Sequence, residues 1–265
     1  MSLLGFQQAF FEIVTTPALR QELAALPPPE LPPALASFEL TERERRRLHA
    51  VARDRGTFMV QRLHRATRLS MLSNTVPRTC EALGAQKLQE VVHRFWKENP
   101  LTRAQYLREG LRFGEFLRAR LAAGEVVHEL LPDLLEAELA ILMLGMSGLA
   151  APSTPPVLPE GAALEQARPK LSPWCRVLPF HREPRAVLRA IGHVPATLPE
   201  GESFLVLAGL GPGRVSVNVV DAPRGRLLLA STGERDVAQL RSELDCPAEL
   251  LQELSRRGFL QVNHS

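Results

Sequence analysis

An α+β fold in two domains is predicted: a helical bundle over residues 1–149, then a small antiparallel sheet with helices over residues 172–265, joined by a Pro-rich linker at 150–171. Three observations carry the prediction. Apolar residues recur at helical spacing from the first residues to about Leu149, in a chain rich in Leu, Ala and Arg and only 5% aromatic. At Ala150 the composition changes to APSTPPVLPEG, too poor in apolar side chains to pack well. Beyond it the period shortens toward two, with Gly- and Pro-rich turns between short apolar runs.

The elements follow in order. A first helix is expected over Leu3–Leu23, with a break near Thr15-Thr16-Pro17, and PPPELPP (27–33) is an extended connector because proline fixes φ and removes a donor. Thr41-Glu42-Arg43-Glu44 has the S/T-x-x-E pattern of a capping box and predicts a helix over Glu42–Arg53. Gly56 separates this from a helix in which Met59, Leu63, Ala66 and Ser70 share one side of the wheel. Gln61, Arg62, Arg65 and Arg68 share the other, a polar side interrupted by Phe58, Leu69 and Leu72. The expectation is a scaffold helix with its arginines outward. Thr75-Val76-Pro77 starts a further helix and Leu83-Gly84 ends it. Helices over Ala85–Lys97, from a box at Thr102-Arg103-Ala104-Gln105 through Ala122, and over Pro132–Leu144 complete the bundle, the last nearly all apolar and so expected at its centre. In the second domain, residues 203–209, 214–220 and 226–230 read as strands, with GLGPGR and DAPRGR as turns. Two helices follow, over Glu234–Leu244 and from Pro247 to the SRRGFL segment.

Composition bounds the function. With 265 residues, 45% hydrophobic and 23% charged, the chain is of ordinary globular type. No apolar run of membrane-spanning length occurs, and MSLLGFQQAFFEIV lacks the basic segment and cleavage site of a signal peptide, so a cytoplasmic protein is expected. Cys80, Cys175 and Cys246 are isolated and odd in number, which predicts buried thiols rather than disulfides or a zinc site. The formal net charge is +3, yet between Thr41 and Val127 basic residues outnumber acidic ones about two to one. Such a region can meet nucleic acid, an acidic peptide or an acidic protein face. A groove-reading helix, however, would leave Phe58, Leu69 and Leu72 in water or against phosphate, which disfavours nucleic acid. The seven histidines form no HExxH or other tight ligand pair, GLGPGR is not followed by a helix, and Glu136 and Glu138 point to different sides of theirs. No catalytic constellation and no cofactor site of its own is therefore expected.

Two parts of the chain carry a resemblance. FQQAFFEIVTTPALRQEL, FELTERERRRL, RLSMLSNTVPRTCEALGAQKLQEVVHRFW followed by ENP, and a long LL-x-x-ELA-x-L helix resemble the helical domain of partner proteins of multinuclear non-heme iron oxidases, the family of the methanobactin-synthesis partner subunit. Related domains have carried a DNA-binding label. The tail ending LLQELSRRGFL is similar to the recognition elements of ribosomal-peptide biosynthesis, small winged-helix-like domains that bind a precursor's leader. The resemblance implies a non-catalytic subunit in a heterodimer: the oxidase would hold iron and modify a ribosomal peptide, typically at Cys, while this chain recruits the leader. Peptide contacts are expected at Phe204, Val206, Leu227 and Leu229, with Leu250, Leu251 and Leu254 as the groove wall, and partner contacts at Arg62, Arg65 and Arg68. Residues 174–199 stand out as an insertion relative to recognition elements and could add a strand and a helix. The alternative is a DNA-binding transcriptional regulator working through the basic helical domain, whose binding would weaken steeply with salt.

Overall fold

The computed structural model describes residues 3–99, 106–154, 158–182, 184, 187 and 200–262. Within them the chain is α+β and mostly helical, with eleven α-helices and two small antiparallel sheets. No helix among the described residues is long and apolar enough to cross a membrane. Contacts gather the chain into two compact units, Met1–Leu72 with Val92–Leu107, and Ser73–Val91 with Arg108–Ser265.

The first unit begins with α1 (Leu3–Thr15) and α2 (Pro17–Ala25), broken at Thr16 as Thr-Thr-Pro predicts, since Pro17 is accepted in the first turn of the second helix. Helix α3 (Glu42–Arg53) starts at the expected box: Thr41 N–H donates to Glu44 Oε2 at 2.8 Å, and Glu44 N–H donates to Thr41 Oγ1 at 3.3 Å. Ile13, Leu23, Leu35 and Leu48 make the core between these helices. Arg53 closes the other end of α2, donating to the carbonyls of Ala24 and Leu26 at 3.1 and 2.9 Å, acceptors that a helix terminus leaves open. Helices α4 (Arg55–Thr75) and α5 (Pro77–Glu98) carry the chain from this unit into the second and back. The stop expected at Gly84 appears as a break within α5, where φ is 68° and ψ is 163°.

The second unit holds α6 (Tyr106–Ala122), α7 (Leu131–Ser147), α8 (Ala162–Gln166) and the sheets. The capping residues expected at 102–105 lie outside the described residues. Strands β2 (Cys175–Arg182), β3 (Glu200–Gly209) and β4 (Val215–Asp221) form a three-stranded antiparallel sheet with β3 in the middle. Phe204 pairs with Val220, and Leu205 with Val219. One face, with Leu205, packs on Leu130, Leu134 and Ala137. The other, with Phe204, Val206 and Val220, packs on α9 (Ala222–Ala230), α10 (Val237–Leu244) and α11 (Ala248–Arg256). Short β1 (Pro169–Leu171) pairs with β5 (Leu260–Val262) in the second sheet.

Four expectations need correction. Residues 226–230 are helical: Asp221 accepts from Arg224 N–H at 3.1 Å, Pro223 sits in the first turn, and Leu227 and Leu228 are both buried, as adjacent residues of a one-face-buried strand could not be. The third strand is β2, inside the stretch expected as an insertion. The 150–171 segment is not an unpacked linker: Leu158, Leu164 and Ala167 enter the core, and Leu158 N–H donates to Ser255 Oγ at 2.9 Å. A few well-placed apolar side chains suffice where composition alone reads as a spacer. Helix α7, expected at the centre of the first domain, packs instead on the sheet.

Candidate functional site

Six of the seven residues expected to contact a peptide lie together, but inside. Phe204 and Val206 are on the central strand, Leu227 is on α9, and Leu250, Leu251 and Leu254 are on α11; all six belong to one buried cluster. Only Leu229 is exposed. A central strand has both backbone edges occupied by neighbours, so β3 offers no hydrogen bonds to an incoming chain.

The sheet has edges at β2 and β4. Pro179 removes a backbone donor from β2, and the register slips between Phe180 and Arg182, two devices that blunt an edge against further pairing. β4 has neither. Its sequence, Val215-Ser-Val-Asn-Val-Val220, is β-branched, without proline or charge, and pairs with β3 in unbroken register. Val217 is 46% exposed, and Val215, Ser216, Asn218 and Val219 are half-buried.

Chemistry differs on the two sides of this strand. Arg257 donates to Asn218 Oδ1 at 3.3 Å, its guanidinium 4.7 Å from the centre of the Phe259 ring. Arg224 bridges Asp221 and Glu253, at 2.6 and 2.8 Å. Hydrogen bonding to Arg224 holds the Glu253 carboxyl below its ordinary range, and the same bond raises the Arg224 guanidinium. At the hairpin end, Gly213 N–H donates to Gly145 O of α7 at 3.1 Å, next to the exposed Met146, and Ala150 bridges to the exposed Leu210. β4 thus runs from an arginine–carboxylate network to a hairpin end where exposed Leu210 and Met146 stand with exposed Arg214. An edge that no described strand pairs, with alternate valines along it, is what an extended peptide can use.

The arginines expected at a partner surface separate. Arg62 is exposed, its guanidinium 5.7 Å from the Phe58 ring centre, and Arg65 is half-buried. Arg68 is only 5% exposed and stacks over Trp96 at 4.7 Å, so it does not belong to an outward face. The inner side of α4 is formed by Gln61, Arg68 and Leu72, which reverses the expected orientation of the helix.

A further polar pair joins α7 to β2. Asp133 is buried and accepts from His181 N–H at 3.1 Å, with His181 Nδ1 2.8 Å from its other oxygen. The imidazole is exposed beyond that anchor. Among the described residues no three His, Cys, Asp or Glu side chains gather as a metal site. Cys80, Cys175 and Cys246 are free and buried, as their isolation in the sequence predicts.

No protein-family model matches the chain, and no curated protein matches it.

Edge status is what sequence reading missed. The alternation of Val215, Val217 and Val219 marked a strand with one face partly wet, but strand order, and hence the open side, depends on where β2 comes from.

Proposed function

We propose that this chain is a non-catalytic partner protein that recruits the leader segment of a ribosomal precursor peptide for a multinuclear non-heme iron oxidase, with the leader adding as a strand to β4. Iron and the chemistry, at a Cys of the precursor, belong to the oxidase; this chain contributes binding and orientation, as one half of a cytoplasmic heterodimer. The observation that carries the reading is that β4 lies, among the described residues, at the sheet's edge, with the uncharged, largely β-branched run Val215–Val220 beside Arg257 and Arg224. Backbone pairing along β4 supplies affinity with little sequence demand, while the valines select apolar leader residues. With this goes a two-domain reading of the chain in which the later domain is winged-helix-like; α9, α10 and α11 against a three-stranded sheet support it.

The DNA-binding alternative draws on the basic helical region, but in α4, the helix whose arginines suggest it, Arg68 points inward. The test is hydrogen–deuterium exchange on the full chain, alone, with a ribosomal precursor peptide and with duplex DNA, at low and high salt. Protection concentrated in Val215–Asp221 that persists at high salt is the expected result. Protection only by duplex DNA, lost as salt rises, refutes the reading.

A further inference from the structure

Helix α4 is amphipathic with its polarity reversed. The side turned into the protein carries Gln61, whose amide donates to Ile13 O at 2.6 Å, and Arg68, stacked on Trp96. The side turned to solvent carries Met59, Val60 and Leu63, which are 60%, 53% and 69% exposed. Rotating the helix to bury them would leave the Ile13 carbonyl without its donor and lift the Arg68 guanidinium off the Trp96 ring, so the polar side's fit favours the apolar side outward.

The outward residues are not scattered. Gly56, Met59, Leu63, Ala66 and Ser70 follow one another at steps of three and four, the spacing of a coiled-coil seam, and all five are exposed. Fifteen residues at helical rise make a seam about 22 Å long. Large Met59 and Leu63 sit next to each other between small Gly56 at one end and small Ala66 and Ser70 at the other, giving knobs flanked by holes on one face. Arg55 and Arg62 occupy the flanking positions seven residues apart, and α4 has no acidic residue from Arg55 to Thr75.

We propose that this face of α4 docks an amphipathic helix of a protein partner, with a Leu- or Ile-rich seam opposite Gly56 and Ala66 and carboxylates flanking it. The charge selects this occupant over a second copy of the chain. In an antiparallel self-pairing the flanking positions meet their equivalents, which sets arginine against arginine, and no acidic side chain of α4 relieves it. An acidic helix gains both the apolar seam and two flanking guanidiniums. This inference uses no property of β4 and holds independently of the leader reading.

The test uses the full chain and a designed probe: a labelled peptide of about three heptads with Leu at the seam positions and Glu at the flanking ones, and its twin with Lys in place of Glu. Fluorescence anisotropy is expected to show binding of the Glu peptide, weakening with salt, and none of the Lys peptide. Leu63→Glu should weaken binding by about tenfold or more, and Arg62→Glu should weaken the Glu peptide while admitting the Lys peptide. Both positions are exposed, and circular dichroism of each variant confirms that the helices remain. Equal binding of both peptides, no binding of either, or binding unmoved by Leu63→Glu overturns the proposal. So does concentration-dependent self-association in sedimentation that Leu63→Glu abolishes, which assigns the face to a second copy.

Discussion

Replacing Gly225 by alanine should unfold the second unit under milder conditions, although alanine is the better helix former. Gly225 lies inside α9, where Ala is favoured over Gly by about 1 kcal/mol. A Cβ built there falls 2.0 Å from Cδ2 and 2.1 Å from Cγ of Phe204. Ordinary contact begins more than an ångström farther out, and the phenyl ring, 2% exposed on the central strand, is enclosed by the core. Shifting α9 outward costs about 1–3 kcal/mol as overpacking does, and expelling the ring costs about 3–5 kcal/mol, the range for losing a buried phenyl. Set against the helix gain of about 1 kcal/mol, the smaller of the two routes leaves a net loss of about 0–2 kcal/mol. Urea unfolding followed by Trp174, which is buried in the same cluster and donates its indole N–H to Gly258 O, reports on this unit; Trp96 is the only other tryptophan and can be replaced by Phe in the background. The double variant Gly225→Ala with Phe204→Leu should recover part of the loss relative to Phe204→Leu alone. A Gly225→Ala protein stabilised by the full helix gain of about 1 kcal/mol would refute the close approach of α9 to β3.

Other predictions are tied to single contacts. Glu138 of α7 accepts from the N–H groups of Arg78 and Thr79 at 2.7 and 2.8 Å, capping α5, and burial raises its carboxyl above the ordinary value. A raised acid favours the folded state while protonated, so its contribution is present at low pH and is lost as pH rises through the folded value. The stability of wild type minus that of Glu138→Gln should therefore fall with rising pH in denaturation series; a rising difference would contradict the burial. Glu138→Ala, which leaves both N–H groups without their acceptor, should cost about 1–3 kcal/mol by the same assay. Burial pushes the Cys80 thiol up to about 11 and the Cys175 thiol up to about 12, and raises that of Cys246. At neutral pH thiol reagents should label none of them until the chain unfolds, as mass spectrometry would show. Val217→Lys should leave the circular dichroism unchanged and weaken precursor binding by about tenfold, because a charge on an edge strand opposes pairing.

Legibility in the sequence followed range. The Thr41 box, the break at Thr16 and the stop at Gly84 are set by residues within a turn of one another, and each appears where its residues predict. The start of α9 was legible too, in Asp221-Ala-Pro223, but the run Leu-Leu-Leu that follows has no period and fits a strand equally well. The orientation of α4 could not be read, because its outward Met59 and Leu63 are ordinarily core residues and its inward Arg68 is satisfied by Trp96, twenty-eight positions away. For the candidate site, six of the seven residues expected to meet a peptide share one buried cluster and Leu229 does not, because apolar content marks core and groove alike; what distinguishes them is strand order, a property of the sheet and not of any one strand.

The cap that Glu138 places on α5 has a consequence for synthesis. Arg78 and Glu138 are 60 residues apart in the chain. At translation rates of about 5–20 residues per second, the acceptor for the first turn of α5 follows its donors by about 3–12 s. Throughout that interval the helix start has water as its only partner, and Val92–Leu107, which returns to the first unit, is made before the second unit has its sheet. The nascent chain therefore completes its earlier unit while residues 73–91 wait, already synthesised, for α7 to arrive.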